Sequence, residues 1–184
     1  MCVGSFGGEV VKIIVISDSH GKSDRIEQVL EMHKNADAFF FLGDGLRDVF
    51  GKERLHRGGL FAAVRGNCDV FSAACGENYP EEYLIRVGEY NILMMHGHTK
   101  GVKHGLDRAV SYASLRGADI LLYGHTHIPM EKYLPEGTET GEGVLEKPMW
   151  VFNPGSLGAY GGDASYGLIE IRGKNVLMSH GRIK

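Results

Sequence analysis

Apolar residues along this chain come in short unbroken runs, and run after run stops at a cluster of Gly, Asp, His or Asn. The first, Lys12-Ile13-Ile14-Val15-Ile16-Ser17, is rich in β-branched residues and predicts a strand buried on both faces. It ends in Asp18-Ser19-His20-Gly21. A helix is then predicted from Ser23 or Asp24, with Ile26, Val29, Leu30 and His33 at helical spacing and Glu27 in its first turn. Strands are predicted over 38–42, closed by Gly43-Asp44-Gly45, and over 60–64, closed by Arg65-Gly66-Asn67-Cys68-Asp69. Another covers 91–95 and ends in His96-Gly97-His98. A helix from about 104 to 116 leads to a strand over 119–123, which ends in Gly124-His125-Thr126-His127. Trp150-Val151-Phe152 runs into Asn153-Pro154-Gly155-Ser156, and strand patterns near 82–88, 166–172 and 174–180 complete the series. The aperiodic, acidic segment 134–148 reads as a surface loop. Residues 1–10 carry no period and read as a flexible extension ahead of a single domain, 11–184.

Six strands that each finish in polar loops predict an α/β protein whose loops converge at the carboxyl ends of its strands. A length of 184 residues suits one domain with a full core. The formal charge of -3 gives no global attraction for nucleic acid, so no stable nucleic-acid partner is expected. No apolar run approaches the roughly 20 residues needed to span a bilayer, so no membrane association is expected. The start of the chain lacks the charged and apolar pattern of a secretory leader. Cys2, Cys68 and Cys75 are an odd number and read as reduced thiols of a cytoplasmic protein.

The nine histidines change the picture, because five of them fall in these Gly-flanked loops. Asp supplies hard anionic oxygen, Asn a neutral carbonyl oxygen and His a borderline nitrogen, a mixture suited to first-row divalent ions. In Asp18-x-His20 and His125-x-His127 two side chains face alike, since residues two apart in extended chain share a side. Asp18, His20, Asp44, Asn67, His96, His125 and His127 are more ligands than one cation uses. Two ions sharing a carboxylate would use all of them, and such a pair can clamp a phosphoryl group.

These motifs together resemble the calcineurin-like metallophosphoesterases. Arg65-Gly-Asn-Cys-Asp69, the chain length and Asn153-Pro-Gly-Ser156 are similar to the small single-domain YfcE-type phosphodiesterase branch, and the resemblance covers about residues 12–172. It implies a four-layer α/β/β/α sandwich, the metallo-dependent phosphatase fold, with two mixed β-sheets flanked by helices. It implies a binuclear centre, with Mn²⁺ the usual ion and Ni, Fe, Co, Zn or Mg as alternatives. Asp18, His20 and His127 would take one ion, Asn67, His96 and His125 the other, and Asp44 would bridge. The implied reaction is hydrolysis of small phosphate esters by in-line attack of a metal-bridging hydroxide.

This chain departs from the family pattern at two places. Cys68 stands where many relatives have a histidine, and a neutral thiol is a poor acid for this chemistry. The proton-donor role therefore passes to His98, two residues from His96, with binding of phosphate or water as its alternative role. Arg47 stands where an acidic residue is common, so Asp48 is expected at a helix start or in a surface ion pair. Asp69 is a candidate to orient a histidine ligand, with Arg65 serving the same acidic network. Asn153 and Ser156 are candidates to brace the histidine loops. His104, Lys103 and Lys100 read as solvated surface or as groups that meet an anionic substrate, and His33, His56 and His180 as structural.

The function expected is thus a metal-dependent phosphodiesterase, with catalytic candidates His98, Asp69 and Asn67. The alternative is a non-catalytic protein-binding scaffold of retromer-subunit type, against which the complete ligand set argues. Assembly into a homo-dimer or tetramer is an expectation taken from relatives.

Overall fold

A computed structural model describes residues 3–4, 10–52, 59–69, 79–159 and 163–183. The expectations for Cys2, His56 and Cys75, and most of that for residues 1–10, fall outside these residues.

Two mixed sheets carry the chain. One has five strands: β2 (Val11–Ile16), β3 (Ala38–Phe41), β4 (Leu60–Ala63), β12 (Ala164–Arg172) and β13 (Asn175–Ile183), in the order β13-β12-β2-β3-β4. The other has six: β1 (Val3–Gly4), β5 (Glu82–Val87), β6 (Tyr90–Met95), β7 (Ile120–Tyr123), β8 (Met130–Leu134) and β11 (Met149–Asn153), in the order β1-β5-β6-β7-β11-β8. Val3 and Gly4 pair in parallel with Arg86 and Val87, so this part of the expected extension covers a sheet edge.

The alternation of side chains along each strand divides the apolar residues among three cores. Ile13, Val15, Phe40 and Val64 face Ile92, Met94, Ile120, Leu122 and Phe152 between the sheets. The opposite face of the first sheet (Ile14, Ile16, Phe39, Phe41) packs on Ile26, Val29 and Leu30 of helix α1 (Ser23–Met32). Leu46 and Val49 of the short α2 (Leu46–Val49) join them there. The outer face of the second sheet (Leu93, Met95, Leu121, Tyr123, Val151) packs on Ala109, Val110 and Ala113 of α3 (Asp107–Leu115). Helix, sheet, sheet and helix therefore form four layers, as expected. Both faces of the central strands are buried, which is why their sequences are continuous apolar runs rather than alternating ones.

Segment 134–148 is more ordered than a surface loop. It ends the edge strand β8 and contains the antiparallel hairpin β9 (Glu139–Thr140) and β10 (Gly143–Val144), held by Leu145, which is buried. Thr140 Oγ1 accepts a hydrogen bond from Ser111 of α3 at 2.8 Å. Among the described residues no helix is long and apolar enough to cross a membrane.

In the first sheet β2, β3 and β4 run parallel, and in the second β6, β7 and β11 do so. Their carboxyl ends therefore open on one edge of the sandwich, where the polar loops lie.

Candidate metal centre

The loops that close these strands carry unusual backbone. The non-glycine residues with positive φ among the described residues are Asp18 (54°), His20 (44°), Asp44 (60°), His125 (67°) and His127 (60°). Side chains with a Cβ avoid this region at a cost of about 1–2 kcal/mol per residue, although Asp and His tolerate it better than most. All five are candidate ligands. The turned backbone brings their polar atoms into one small volume.

Glycines let the loops approach closely enough for this. A Cβ on Gly43 would stand 2.5 Å from the backbone nitrogen of Gly66, and one on Gly66 would strike Asp44 Oδ1. Gly124 likewise lies against Ser17 Oγ and Asp18 Oδ2, so a side chain there would push β7 away from the Asp18 loop.

Two groups of ligand atoms result. In the first, His127 Nε2 lies 3.0 Å from Asp18 Oδ1 and 3.3 Å from His20 Nε2. In the second, His96 Nε2 lies 3.4 Å from Asp44 Oδ2 and 3.2 Å from His125 Nδ1. The groups join, because Asp44 Oδ2 is also 4.0 Å from His20 Nε2, and Asp18 Oδ1 is 3.9 Å from His96 Nε2. Asp18, His20 and His127 thus stand together, as do His96 and His125, with Asp44 between the two sets; Asn67, expected with the second, is turned to Cys68. Nitrogens facing each other at 3.2–3.3 Å match two imidazoles on one ion. With bonds of about 2.1 Å at tetrahedral angles, such nitrogens sit roughly 3.4 Å apart.

The polar bookkeeping also fits a cation. Asp18 is fully buried; its Oδ2 accepts from Ser17 Oγ (2.5 Å) and the His125 amide (3.0 Å), while Oδ1 has no hydrogen-bond partner. A buried carboxylate oxygen without a partner is costly unless positive charge faces it. His96 donates Nδ1–H to the Leu42 carbonyl at 2.7 Å, which leaves the Nε2 lone pair directed at the centre. Burial pulls the basicity of His96 down, but the Asp44 and Asp18 carboxylates outweigh it and raise its pKa. Burial works against ionised Asp44 too, yet His96 and the Cys68 amide and thiol hold its carboxyl well below the usual range. Burial, then His96 and Lys103, lower His125 to about 4.

The remaining candidates divide. Asn67 starts a one-turn helix, Asn67–Asp69, with its amide Nδ2 donating to Cys68 Sγ at 3.3 Å. His98 opens another such turn, His98–Lys100, its ring centroid 5.4 Å from that of His96 and 6.1 Å from that of His125. Its Nδ1 is buried without a partner, and burial followed by His96 lowers its pKa. Asn153 donates Nδ2–H to the Gly124 carbonyl and to Thr126 Oγ1, and Ser156 donates to the Asp18 carbonyl, so both brace ligand loops. His33 contacts the Tyr166 hydroxyl, and His180 stacks on Phe152 while meeting the Asn153 carbonyl. His104 is exposed, and Lys100 lies over the Tyr112 ring.

Three expectations need correction. Asp69 does not orient a histidine: its carboxylate accepts the backbone N–H groups of Asp44, Gly45, Leu46 and Gly66 at 2.8–3.0 Å. It acts on the centre through the Asp44 loop. Arg65 is turned away from that network and pairs with Glu81 at 2.9 Å. Asp48 does lie in the first turn of α2, but in place of a surface ion pair its Oδ2 accepts from Ser19 Oγ (2.6 Å) and the Gly21 amide (2.7 Å), and so clamps the Asp18–His20 loop. No spacing in the sequence marks this role, because the contact is made across loops 27–29 residues apart.

The calcineurin-like phosphoesterase superfamily domain matches residues 11–174. The chain is 28% identical over 183 residues to the protein named Phosphodiesterase YfcE of Escherichia coli K12, covering 88% of each. Among solved structures it is similar to a Streptococcus pneumoniae TIGR4 protein described as a predicted phosphoesterase, with TM-score 0.68, 27% identity and coverage of 95% of this chain and 99% of that one. Vacuolar Protein Sorting 29 from Cryptosporidium parvum has the same fold (TM-score 0.65, 95% and 99% coverage) at 17% identity. The strained loops, the converged ligand atoms and the domain match agree: the chain belongs to the calcineurin-like phosphoesterase superfamily.

Proposed function

We propose that the protein is a divalent-metal-dependent phosphoesterase that hydrolyses small phosphate esters, phosphodiesters foremost. The observation that carries this is the coincidence of strain with chemistry: the positive-φ residues Asp18, His20, Asp44, His125 and His127 place their polar atoms in the two joined ligand groups. Away from the centre, positive φ among the described residues falls on glycine, as at Gly51, Gly88, Gly117 and Gly173.

Asp18, His20 and His127 would hold one ion and His96, His125 and Asn67 the other, with Asp44 shared. Oxygen and imidazole donors of this kind suit Mn²⁺, and Ni, Fe, Co, Zn and Mg are the alternatives to compare. When bound, such a pair supplies Lewis-acid neutralisation of phosphoryl charge and activation of water. The chain's own residues orient and hold. Asp69 and Asp48 fix the aspartate loops, Asn153 and Ser156 fix the loops of His125 and Asp18, and the Leu42 carbonyl sets the tautomer of His96. We assign His98 to the leaving-group oxygen, because its ring stands beside those of both His96 and His125.

The purified protein should hydrolyse an aryl phosphodiester once Mn²⁺ is added, and Asp44→Asn or His96→Ala should abolish turnover. Absence of turnover with every one of these ions, together with absence of bound metal, would sink the proposal. It would favour the protein-binding scaffold, which the fold shared with Vacuolar Protein Sorting 29 supports. For His98 the test is leaving-group dependence: His98→Ala should slow alkyl esters more than aryl esters, and equal slowing removes the proton-donor role.

A further inference from the structure

Cys68 does not merely replace a residue beside the centre; its sulfur stands among the ligand atoms. One ligand atom each from His20, Asp44 and Cys68 lies within 4.8 Å of the other two. The Cys68 amide donates to Asp44 Oδ1 at 2.7 Å, which ties this turn to the shared carboxylate and keeps Sγ close to it. Asn67 Nδ2–H points at Sγ from 3.3 Å and holds it beside the shared carboxylate. From the inner side, Asp18 Oδ1, fully buried and unpartnered, faces the same His20 nitrogen at 3.8 Å. Cys68 is exposed, and it lines a cavity of about 290 Å³ together with His20 and Asp44. An ion entering from solvent therefore meets the sulfur at the mouth of the centre.

We propose that Cys68 is a metal-selecting ligand: thiophilic ions such as Zn²⁺ and Cd²⁺, held by His20 and Asp44, take its sulfur as a further ligand, whereas Mn²⁺ and Mg²⁺ leave it uncoordinated. The difference follows from softness, since thiolate prefers zinc and its heavier congener over hard, oxygen-seeking ions. On capture the Sγ–H bond breaks, an Sγ–metal bond forms, and the proton leaves to solvent; no electrons are transferred. The inference rests on the metal centre proposed above.

Cobalt(II) binding to the full chain tests the two separately. Visible d–d absorption reports an ion in the centre, and a near-ultraviolet thiolate-to-cobalt band reports coordination by sulfur. The wild type should show both, and Cys68→Ser and Cys68→Ala only the visible absorption. In competition titrations Zn²⁺ affinity should fall by about tenfold or more in these variants, the scale of loss seen when a metal's supporting group is removed. Mn²⁺ affinity should be unchanged. Visible absorption with no thiolate band in the wild type overturns the role of Cys68 and leaves the centre standing. So does a thiolate band that survives both substitutions, or an equal loss of Zn²⁺ and Mn²⁺ affinity. Failure to bind cobalt at all overturns the centre and this inference with it.

Discussion

Aspartates stand at both ends of the parallel strands, and the two ends treat them differently. Asp37 and Asp119 precede the amino ends of β3 and β7. Asp37 Oδ2 accepts the Lys12 amide at 2.8 Å; Asp119 accepts the Asn91 amide at 2.7 Å and pairs with Lys147. Neither has positive φ. Asp18 and Asp44 follow the carboxyl ends of β2 and β3 in left-handed backbone, one with an oxygen left orphaned, both facing imidazoles in place of ammonium groups. The same residue type is thus structural at Asp37, held by an amide, and at Asp119, held by an amide and a lysine. It belongs to a site where the chain spends strain to keep it short of a partner. Strain plus an unmet charge separates the two ends better than residue identity does.

The largest effect should come from breaking that distinction by substitution. Asp44→Asn should lower Mn²⁺-dependent phosphodiester turnover by about 100-fold or more, because the ligand shared by both groups is removed. Asp119→Asn should leave turnover unchanged and cost about 1 kcal/mol of stability, through weaker contacts to Asn91 and the half-exposed Lys147. Steady-state kinetics and urea denaturation of both variants check this. A comparable loss of turnover in Asp119→Asn would mean that the two ends do not differ as argued.

Asp69 combines both behaviours, and it also shows where sequence reasoning stops. Asp69→Ala would strip four backbone N–H groups of their acceptor, costing about 3 kcal/mol or more, and would free the Asp44 loop. Thermal denaturation should show the loss even in protein treated with chelator, where ion binding cannot contribute. The ligand loops were legible in the sequence because buried parallel strands need continuous apolar runs, so an Asp or His that ends one stands out. Asp48 and Asp69 were not legible in the same way. Apart from the Ser19 hydroxyl on Asp48, their partners are backbone amides, and an amide belongs to every residue and leaves no mark in the sequence. Strand β8 escaped for another reason: Met130–Leu134 is an edge with Glu131, Lys132 and Tyr133 exposed, so it lacks the apolar run that announces the others.

Asp18 should respond to substitution with opposite signs in function and stability. Asn in its place keeps one oxygen for the Ser17 hydroxyl and the His125 amide, and turns an NH₂ group toward the imidazoles where the orphaned oxygen stood. A buried carboxylate oxygen without a hydrogen bond is removed without loss of the packing. In protein treated with chelator Asp18→Asn should therefore raise stability by about 1 kcal/mol, a Tm increase of roughly 2–4 °C for a chain of this size. Turnover with Mn²⁺ should be lost. A lower Tm in the chelated variant would mean that Asp18 already has an adequate partner, and the contrast with Asp37 would weaken.

The smallest effect concerns a histidine outside the centre. His33 follows α1 and meets the Tyr166 hydroxyl at 2.8 Å, and burial, followed by the charge of Lys12, lowers its pKa below the ordinary value. The unfolded chain therefore binds a proton at His33 before the folded protein does. Above about pH 6.5 both forms are neutral and the residue adds no pH dependence. As pH falls below that value the unfolded state gains protons first and stability declines, until the lowered folded value is passed and the loss is complete. The ring is only partly buried, so solvent screening keeps the loss under about 1 kcal/mol. His33→Gln removes the titrating group and retains a hydrogen-bonding side chain. Chelated wild type should lose more stability between pH 7.5 and pH 5.5 than chelated His33→Gln does, and this difference cancels the histidines of the centre, which both proteins share. Equal losses would show that His33 titrates alike in the folded and unfolded chain, leaving the acid sensitivity to the strained end of the strands.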